Sequence, residues 1–406
     1  MKHKHNISGF SVKASLWNPF FIYILGFAIS LSVYQLGWSN LYPTISFGLL
    51  LFLLLTFLYS FLVACCVYKD KIIVYSEVRR NKNIPIIASF IVIGFMLEFL
   101  HLRHVPLLSI LAGWEYDYKA FGIKSFHVFL VTFSSFYSVY VFHVFLSTRK
   151  RKYIIIYFLM LTMPLLIYNR GMFLLILSSS LFVYLFSIRK LHFKFIVVGA
   201  FLILILFYLF GLAGNIRCSH QEGRTENITS SDIILTIGDA KGSFRESIIP
   251  KEFFWAYLYI SSPLANLQKT IISSGPADLT FSRLLSFINF EILPDFASKR
   301  IAKFLEIEKI NIKQITPALT VGTVYASSYV YLNWLGLVLM FSFTMLASFL
   351  YIILLKRDNV FFITGISILN TLILFNIFSN MFYFSGVSFQ LVYPLISSFF
   401  RRKKTI

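Results

Sequence analysis

Long apolar windows recur along this chain, and they constrain its fold more than any other feature. Ten of them are present in the 406 residues, and each is long enough to cross a hydrocarbon core about 30 Å thick. In lipid such segments must be helices, because every backbone polar group needs a partner inside the segment. The windows are 17–36, 42–67, 84–102, 127–146, 153–168, 171–187, 195–213, 334–355, 360–379 and 381–399. The predicted fold class is an all-α polytopic membrane protein with about ten transmembrane helices.

The distribution of Lys and Arg predicts the orientation of these helices. If the N-terminus is cytoplasmic, the short cytoplasmic connections carry 21 of the 37 Lys and Arg residues, and the short connections on the other side carry 4. Because cytoplasmic loops are enriched in basic residues, we expect both termini to be cytoplasmic. The net charge of +20 then follows from topology. Membrane lipids are the expected partners of the basic turns, and nucleic acid is not.

One long connection divides the chain into three regions. Residues 1–213 form a predicted N-terminal bundle of seven helices, and residues 334–406 form a bundle of three helices with a basic cytoplasmic tail. Between them, 214–333 form a large extracytoplasmic loop. A connection of this length usually carries function.

Two stretches of this loop have the pattern of membrane-associated helices. The aromatic run 253–260 is too short to span and is interrupted by Ser261-Ser262-Pro263, which predicts an interfacial or re-entrant helix. The stretch from Lys299 to Lys313 places Ile301, Phe304, Leu305 and Ile312 along one side. Such a pattern is typical of a helix that lies on the membrane surface.

Glu98 is the one carboxylate near the end of a predicted span. It lies three residues before His101, and therefore on the same helical face. An ionisable residue inside a membrane is a candidate functional group. The alternative is that Glu98 pairs with His101 or Arg103 at the interface.

Three arginines are candidates for binding an anionic substrate. Arg170 lies in the tight turn Asn169-Arg170-Gly171, where glycine favours a sharp bend. Arg217 lies about one turn beyond the seventh window, and Arg245 precedes an aromatic run. The planar guanidinium group bonds two anionic oxygens at once, which suits a diphosphate. A snorkelling structural role is the alternative for Arg170.

The motifs that the sequence lacks exclude several classes of protein. There is no GxxxxGK[ST] motif of nucleotide-driven pumps, no HExxH and no GxSxG. The eight His residues do not occur at metal-ligand spacing. We therefore expect no metal site and no cofactor.

The chain resembles the bacterial O-antigen polymerase family, the Wzy-type oligosaccharide repeat-unit polymerases. The resemblance depends on the multi-helix layout with one long outer loop and on four local patterns. These are Arg170-Gly171, Gly214 to Arg217, Tyr257-x-Tyr259-x-x-x-Pro263-Leu264-x-Asn266-Leu267 and Tyr331-x-x-x-x-Gly336. Relatives often have an acidic residue before the late glycine, where this chain has Asn333. We therefore place no catalytic carboxylate at that position.

The resemblance implies a glycosyltransferase of the inner membrane that acts at its periplasmic face in lipopolysaccharide O-antigen biosynthesis. Its substrates would be oligosaccharide units carried on undecaprenyl diphosphate, and a polysaccharide chain-length regulator is a further candidate partner. Arg170, Arg217 and Arg245 would stabilise the diphosphate leaving group. His220 or Glu222 would act as general base, with Glu98, Tyr257, Tyr259 and Asn266 in support. A solvated loop is the alternative for His220 and Glu222.

Two other functions remain open at this point. An O-antigen ligase would have the same topology and the same donor, but a lipid A-core acceptor. A flippase or transporter of the lipid-linked unit would need charged residues along a central path on several helices. The sequence has the long loop and lacks such a path, which favours the polymerase.

Overall fold

The computed structural model describes residues 10–11, 13–70, 72–78, 82–112, 121–188, 190–221, 229–275 and 279–400. Regular structure in this part of the chain is almost entirely helical. The helices are α1 (Pro19–Tyr34), α2 (Phe47–Lys69), α3 (Ile84–Leu102), α4 (Pro106–Leu111), α5 (Phe126–Thr148), α6 (Arg151–Leu166), α7 (Arg170–Ser187), α8 (Phe193–Gln221), α9 (Asp232–Ile237), α10 (Gly242–Arg245), α11 (Phe253–Ser273), α12 (Phe281–Phe287), α13 (Asp295–Leu305), α14 (Thr323–Leu354), α15 (Phe362–Phe375), α16 (Ser385–Ser388) and α17 (Val392–Phe400). A two-residue antiparallel pair joins β1 (Phe10–Ser11) to β2 (Lys190–Leu191).

Six of these helices are long and apolar enough to cross a membrane. They are α2, α3, α5, α7, α14 and the Phe193–Ser219 part of α8, whereas α1 and α15 are apolar but shorter. The expected helical, multi-pass membrane protein is therefore confirmed, and the count of ten spans stays a prediction. The last predicted span, 381–399, is not one helix, because α16, a 3₁₀ turn (Phe389–Leu391) and α17 follow one another there.

Polar side chains fix where several of the apolar helices begin. The Asn18 side chain accepts hydrogen bonds from the first backbone N–H groups of α1, and Ser46 does the same for α2. Asn169 caps α7 by accepting from the Met172 N–H at 2.9 Å. The predicted role of Gly171 in this turn is wrong: Gly171 is helical, and Tyr168 takes the left-handed conformation with φ 56°.

The transmembrane helices differ in how deeply they lie in the bundle. In its most apolar window α5 is 72% buried, and it packs against α6 and α7. α7 in turn packs on α15, and α15 packs on α1. α8 is only 6% buried and packs mainly on α11 and α9. The core of the protein is thus centred on α5, α7 and α15, with α8 at the periphery.

The helices α9 to α13, which we call the cover, lie over one end of the bundle, the covered end. α11 is a continuous helix of 21 residues with Pro263 inside it, so the expected interruption at 261–263 is wrong. It packs on α1, α8 and α14. Ser30 donates a 2.8 Å hydrogen bond to the Ile260 carbonyl, and Gln268 accepts one from the Ser46 N–H at 3.0 Å. α11 therefore lies against the end of α1 and the start of α2.

The ends of the predicted loop also differ from the observed helices. α8 continues to Gln221 rather than ending at 213, and α14 begins at Thr323 with a break at Leu332 and Asn333. The expected amphipathic helix is present as α13, but it ends at Leu305 and leaves Ile312 in non-helical chain. Much of the region between 214 and 333 is thus helical and packed onto the bundle.

Candidate functional site

A buried carboxylate, Glu291, is the centre of the strongest candidate site. It lies in a π-helical turn, Ile288–Ile292, that continues α12, and it is 1% exposed. Such turns are rare and are frequent at functional sites. Two hydroxyl groups of α14 donate to its Oε2 atom, Ser327 at 3.0 Å and Ser328 at 3.2 Å. Asn380 fixes the backbone of the same turn by donating to the Glu291 carbonyl at 2.6 Å.

The surroundings of Glu291 change its acidity. Burial raises the pKa of Glu291 to about 7, while the Ser327 hydroxyl, the charge of Lys309 and the Ser328 hydroxyl act in the opposite direction. A carboxyl group with a pKa near neutrality can both accept and release a proton at physiological pH. This is the property that general acid–base catalysis requires.

A polar cavity adjoins this carboxylate. Its volume is about 270 Å³, and Ser327, which donates to Glu291, is one of its walls. The remaining lining supplies hydroxyl, amide and ammonium groups beside apolar side chains, from Lys309, Ile310, Asn311, Ile312, Gln314, Thr320, Val321, Gly322, Thr323, Ala326, Ser379 and Phe384. The Lys309 ammonium lies 4.8 Å from the centre of the Tyr383 ring. The cavity thus combines hydrogen-bonding groups with one cation, and Ser327 connects it to Glu291.

The backbone around the cavity is constrained by two glycines and one strained threonine. A Cβ atom at Gly322 would lie 2.5 Å from the Ile312 side chain, and one at Gly336 would lie 2.1 Å from the Ser328 carbonyl oxygen. Thr323 has φ 59°, a conformation that is costly for a β-branched residue. The break in α14 therefore places Ser328, a partner of Glu291, directly against the second half of the same helix.

Asn266, predicted as a supporting residue, holds one wall of this cavity. Its amide group donates to the carbonyls of Leu319 at 2.6 Å and Val321 at 2.7 Å. Its carbonyl oxygen accepts from the Ile315 N–H at 2.8 Å. Asn266 is fully buried in α11, so it fixes the 315–321 segment without lining the cavity.

Arg217 lies in a different part of the cover, where α8 meets α11. Its guanidinium group is 5.5 Å from the centre of the Trp255 ring, and its buried Nε has no hydrogen-bond partner among the described residues. Trp255 donates to the Asn215 side chain at 2.7 Å. A Cβ atom at Gly214 would lie 2.5 Å from the Trp255 ring, so only glycine permits this packing. The Gly214 to Arg217 pattern therefore has a structural role in joining α8 to α11.

Arg245 is already bound to the backbone of the cover. Its Nε donates to the Ala240 carbonyl at 2.9 Å, and its Nη2 donates to the Leu235 carbonyl at 2.8 Å. Leu235 belongs to the last turn of α9, where carbonyl groups lack helical partners. Arg245 thus stabilises the end of α9, a role that the sequence did not indicate.

Arg170 is the first residue of α7 and is exposed. Its guanidinium group lies 5.2 Å from the centre of the Tyr168 ring. Among the described residues, no recorded hydrogen bond or ion pair gives Arg170, Arg217 and Arg245 a common partner. The expected joint role of the three in binding one diphosphate stays a prediction.

Glu98 is fully buried in α3, and its partner is His127 of α5. The His127 Nδ1 atom lies 2.8 Å from Glu98 Oε2, and the Ile123 N–H donates to Oε1 at 3.1 Å. The alternative pairing with His101 or Arg103 is therefore wrong. Glu98 joins the end of α3 to the start of α5.

The two predicted tyrosines pack in the cover away from the cavity. Tyr257 is buried and stacks on Tyr42, with ring centres 5.2 Å apart. Tyr259 is 42% exposed and meets Phe210 of α8 edge to face at 5.0 Å. Their contacts are with aromatic rings of α8, of α11 and of the connection between α1 and α2.

The predicted general bases, His220 and Glu222, fall outside the part of the chain whose side chains the structure describes.

Sequence reasoning missed Glu291, Ser327 and Lys309. One signal was available, because Glu291 is the one charged residue in the largely apolar run FINFEIL. A carboxylate in such a run is either buried with hydrogen-bond partners or exposed together with its apolar neighbours, which costs free energy.

The chain was compared with known protein families, characterised proteins and solved structures. No family, no characterised protein and no solved structure matches it.

Proposed function

We propose that this protein is a membrane glycosyltransferase that polymerises oligosaccharide units carried on a polyprenyl diphosphate, acting at the covered end of the bundle. The observation that carries the proposal is Glu291, a buried carboxylate whose pKa is raised to about 7, one hydroxyl group away from a polar cavity. The covered end would face the periplasm of a bacterial inner membrane, in keeping with the distribution of basic residues.

The reaction requires a base for the acceptor and a cation for the leaving group. The acceptor hydroxyl oxygen attacks C1 of the donor sugar, and the bond from C1 to the diphosphate oxygen breaks. The acceptor proton passes to the Ser327 oxygen while the Ser327 proton passes to Glu291. The diphosphate leaves with the electron pair of the broken bond. Proton removal by a positioned group contributes roughly 10²–10⁴-fold to such a rate.

Lys309 is the cation best placed to stabilise the leaving group, because it lines the same cavity. A positive charge directed at developing negative charge is often the largest catalytic contribution. Arg217 remains a second candidate, since its Nε is buried without a partner among the described residues. The hydroxyl and amide groups of the cavity wall suit a sugar acceptor.

The test is complementation of a deletion strain of the native host with Glu291→Gln. We expect polymer to fall by about 100-fold or more, because the amide cannot accept a proton at neutral pH. The control is Glu308→Gln, an exposed carboxylate of the same region, which should leave polymer length unchanged. Polysaccharide length on gels and the amount of protein in membranes are measured for each variant.

Two outcomes would contradict the proposal in different ways. Wild-type polymer from Glu291→Gln, at a normal protein level, removes Glu291 from the reaction. Full-length polymer that accumulates on the lipid carrier in the deletion strain rejects the polymerase and indicates a ligase instead.

A further inference from the structure

A second, mostly apolar groove opens beside α13, and it does not belong to the proposed catalytic site. Its volume is about 590 Å³, within the range of roughly 300–1,000 Å³ that small-molecule sites occupy. The apolar walls come from α5 on one side and from the 3₁₀ turn and α17 on the other. They are Val128, Phe129, Phe389, Val392, Tyr393 and Ile396.

The groove walls are exposed to the surroundings of the bundle. Phe129 is 55% exposed, and Ile396 is 46% exposed. Phe129 belongs to α5, which is long and apolar enough to span a membrane, and Ile396 belongs to α17 on the other side of the groove. In a bilayer these exposed apolar side chains would face hydrocarbon. Phe129 and Phe389 stack with their ring centres 6.0 Å apart and form one continuous wall. This part of the groove suits an acyl chain.

The mouth of the groove is charged, and its charged groups differ in whether they form a salt bridge. Asp295, Lys299 and Arg300 all line it. Lys299 donates to Asp295 at 2.7 Å. Burial would raise the pKa of Asp295, but hydrogen bonds from Lys299 and Ser385 outweigh it and lower the pKa. The carboxylate therefore stays ionised and neutralises Lys299.

Arg300 supplies the remaining charge. It donates to the Phe296 carbonyl at 3.3 Å and lies over the Phe296 ring. Among the described residues it forms no salt bridge. The three groups together carry a net charge of +1, which matches the single negative charge of a phosphodiester. A diphosphate would bring more negative charge to a mouth that already holds the Asp295 carboxylate.

A second groove in the bundle, without charged residues, supports the role of these charges in binding a headgroup. A larger groove of about 730 Å³ lies between α1, α2 and α14, and the residues that line it carry no charge. It can accept hydrocarbon but offers nothing to a headgroup. Of these two grooves, the one beside α13 combines an apolar channel with a cationic mouth.

We propose that this groove binds one bilayer phospholipid with an anionic headgroup, its phosphodiester at Arg300 and an acyl chain along Phe129, Phe389 and Tyr393. The site does not depend on the proposed polymerase activity. An interfacial cation contributes about fivefold to the binding of an anionic lipid.

Native mass spectrometry of the full-length protein in detergent tests the proposal. The probes are phosphatidylglycerol and phosphatidylcholine with identical acyl chains, supplied in equal amounts. We expect the first bound lipid on the wild type to be phosphatidylglycerol, preferred by about fivefold. Arg300→Gln should lose this preference, and Gly386→Leu should reduce the binding of both lipids. Gly386 lines the groove, and a Cβ atom there meets no atom within 4 Å, so a larger side chain starts in open space.

Lys303→Gln is the matched control, because Lys303 lies on the same helix and does not line the groove. The melting temperatures of all variants show whether each is folded. An equal loss of preference in Lys303→Gln and Arg300→Gln would overturn the proposal in favour of general surface charge. Displacement of phosphatidylglycerol by equimolar undecaprenyl phosphate would also overturn it, and would assign the groove to the polyprenyl lipid.

Discussion

The two polar assemblies of the covered end differ in what their charged groups contact. Arg217 meets an indole ring and joins α8 to α11, and Arg245 meets backbone carbonyls and joins α10 to the end of α9. Glu291 is held by two hydroxyl groups beside a cavity, with Lys309 close enough to affect its pKa. The arginines are prominent in the sequence yet have structural partners. The carboxylate is inconspicuous in the sequence, yet burial raises its pKa to about 7 and one of its hydroxyl partners lines a cavity.

The largest effect that would separate the two assemblies is the pH dependence of activity. If Glu291 accepts the proton, activity should rise with pH until about 7, the value to which burial raises its pKa, and fall about tenfold per pH unit below it. Glu308→Gln should keep this profile, and Glu291→Gln should lose it. Initial rates of polymer formation in membrane vesicles give the profile. An unchanged profile in Glu291→Gln would show that another group titrates.

The contribution of Glu291 to the stability of the folded protein should fall as pH rises, whereas the activity should rise. The pKa of Glu291 is higher in the folded chain than its ordinary value of 4.5. Its contribution to stability is therefore present below the unfolded pKa and is lost as pH rises through about 7. The melting temperature of the wild type should therefore fall relative to that of Glu291→Gln as pH rises through this interval.

The next effect concerns the packing that positions Ser328. Gly336→Ala would place a Cβ atom 2.1 Å from the Ser328 carbonyl oxygen, so α14 must shift. We expect destabilisation by about 1–3 kcal/mol, as for overpacked cores, together with reduced activity. Gly199→Ala is the control, because a Cβ atom there meets no atom within 4 Å. Melting temperatures of the purified proteins provide the comparison, and equal values for both variants would refute the close approach.

The smallest effect should distinguish the two arginines. Arg245→Ala removes two hydrogen bonds to backbone carbonyls, and we expect a loss of about 1–2 kcal/mol of stability. Arg217→Ala removes a cation–π contact, which contributes about 0.5–1 kcal/mol at exposed sites. If Arg217 also binds the diphosphate, its substitution should shorten the polymer more than that of Arg245. The reverse order of polymer lengths would exclude Arg217 from substrate binding.

The membrane helices could be predicted from the sequence because apolar length alone determines them. The windows at 42–67, 84–102 and 127–146 correspond to α2, α3 and α5. The predicted helix at 253–260 was too short for α11, because Ser261 to Pro263 indicate a break when only local propensity is considered. In the structure the helix is buried on nearly every side, and packing against α1, α8 and α14 maintains it through Pro263.

The candidate site was harder to predict because its parts come from distant segments. Glu291, Lys309 and Ser327 belong to a π-helical turn, a non-helical segment and α14, and only the fold places them together. Asn266 was predicted as a supporting residue, and its contacts now give the physical basis: three hydrogen bonds to the segment that forms the cavity wall. Its part in the reaction stays a prediction.

The low burial of α8 has a mechanical consequence. Its contacts with α11 begin near Tyr208 and Phe210, whereas nearly all of its preceding residues are exposed. A change in bilayer thickness can be accommodated by a change in helix tilt, and because α8 is held near one end, such a change would turn it about that end as a pivot. Gly214, Asn215 and Arg217 lie just beyond that pivot and contact or approach Trp255. A change in membrane thickness would thus be transmitted from α8 to α11 through Trp255.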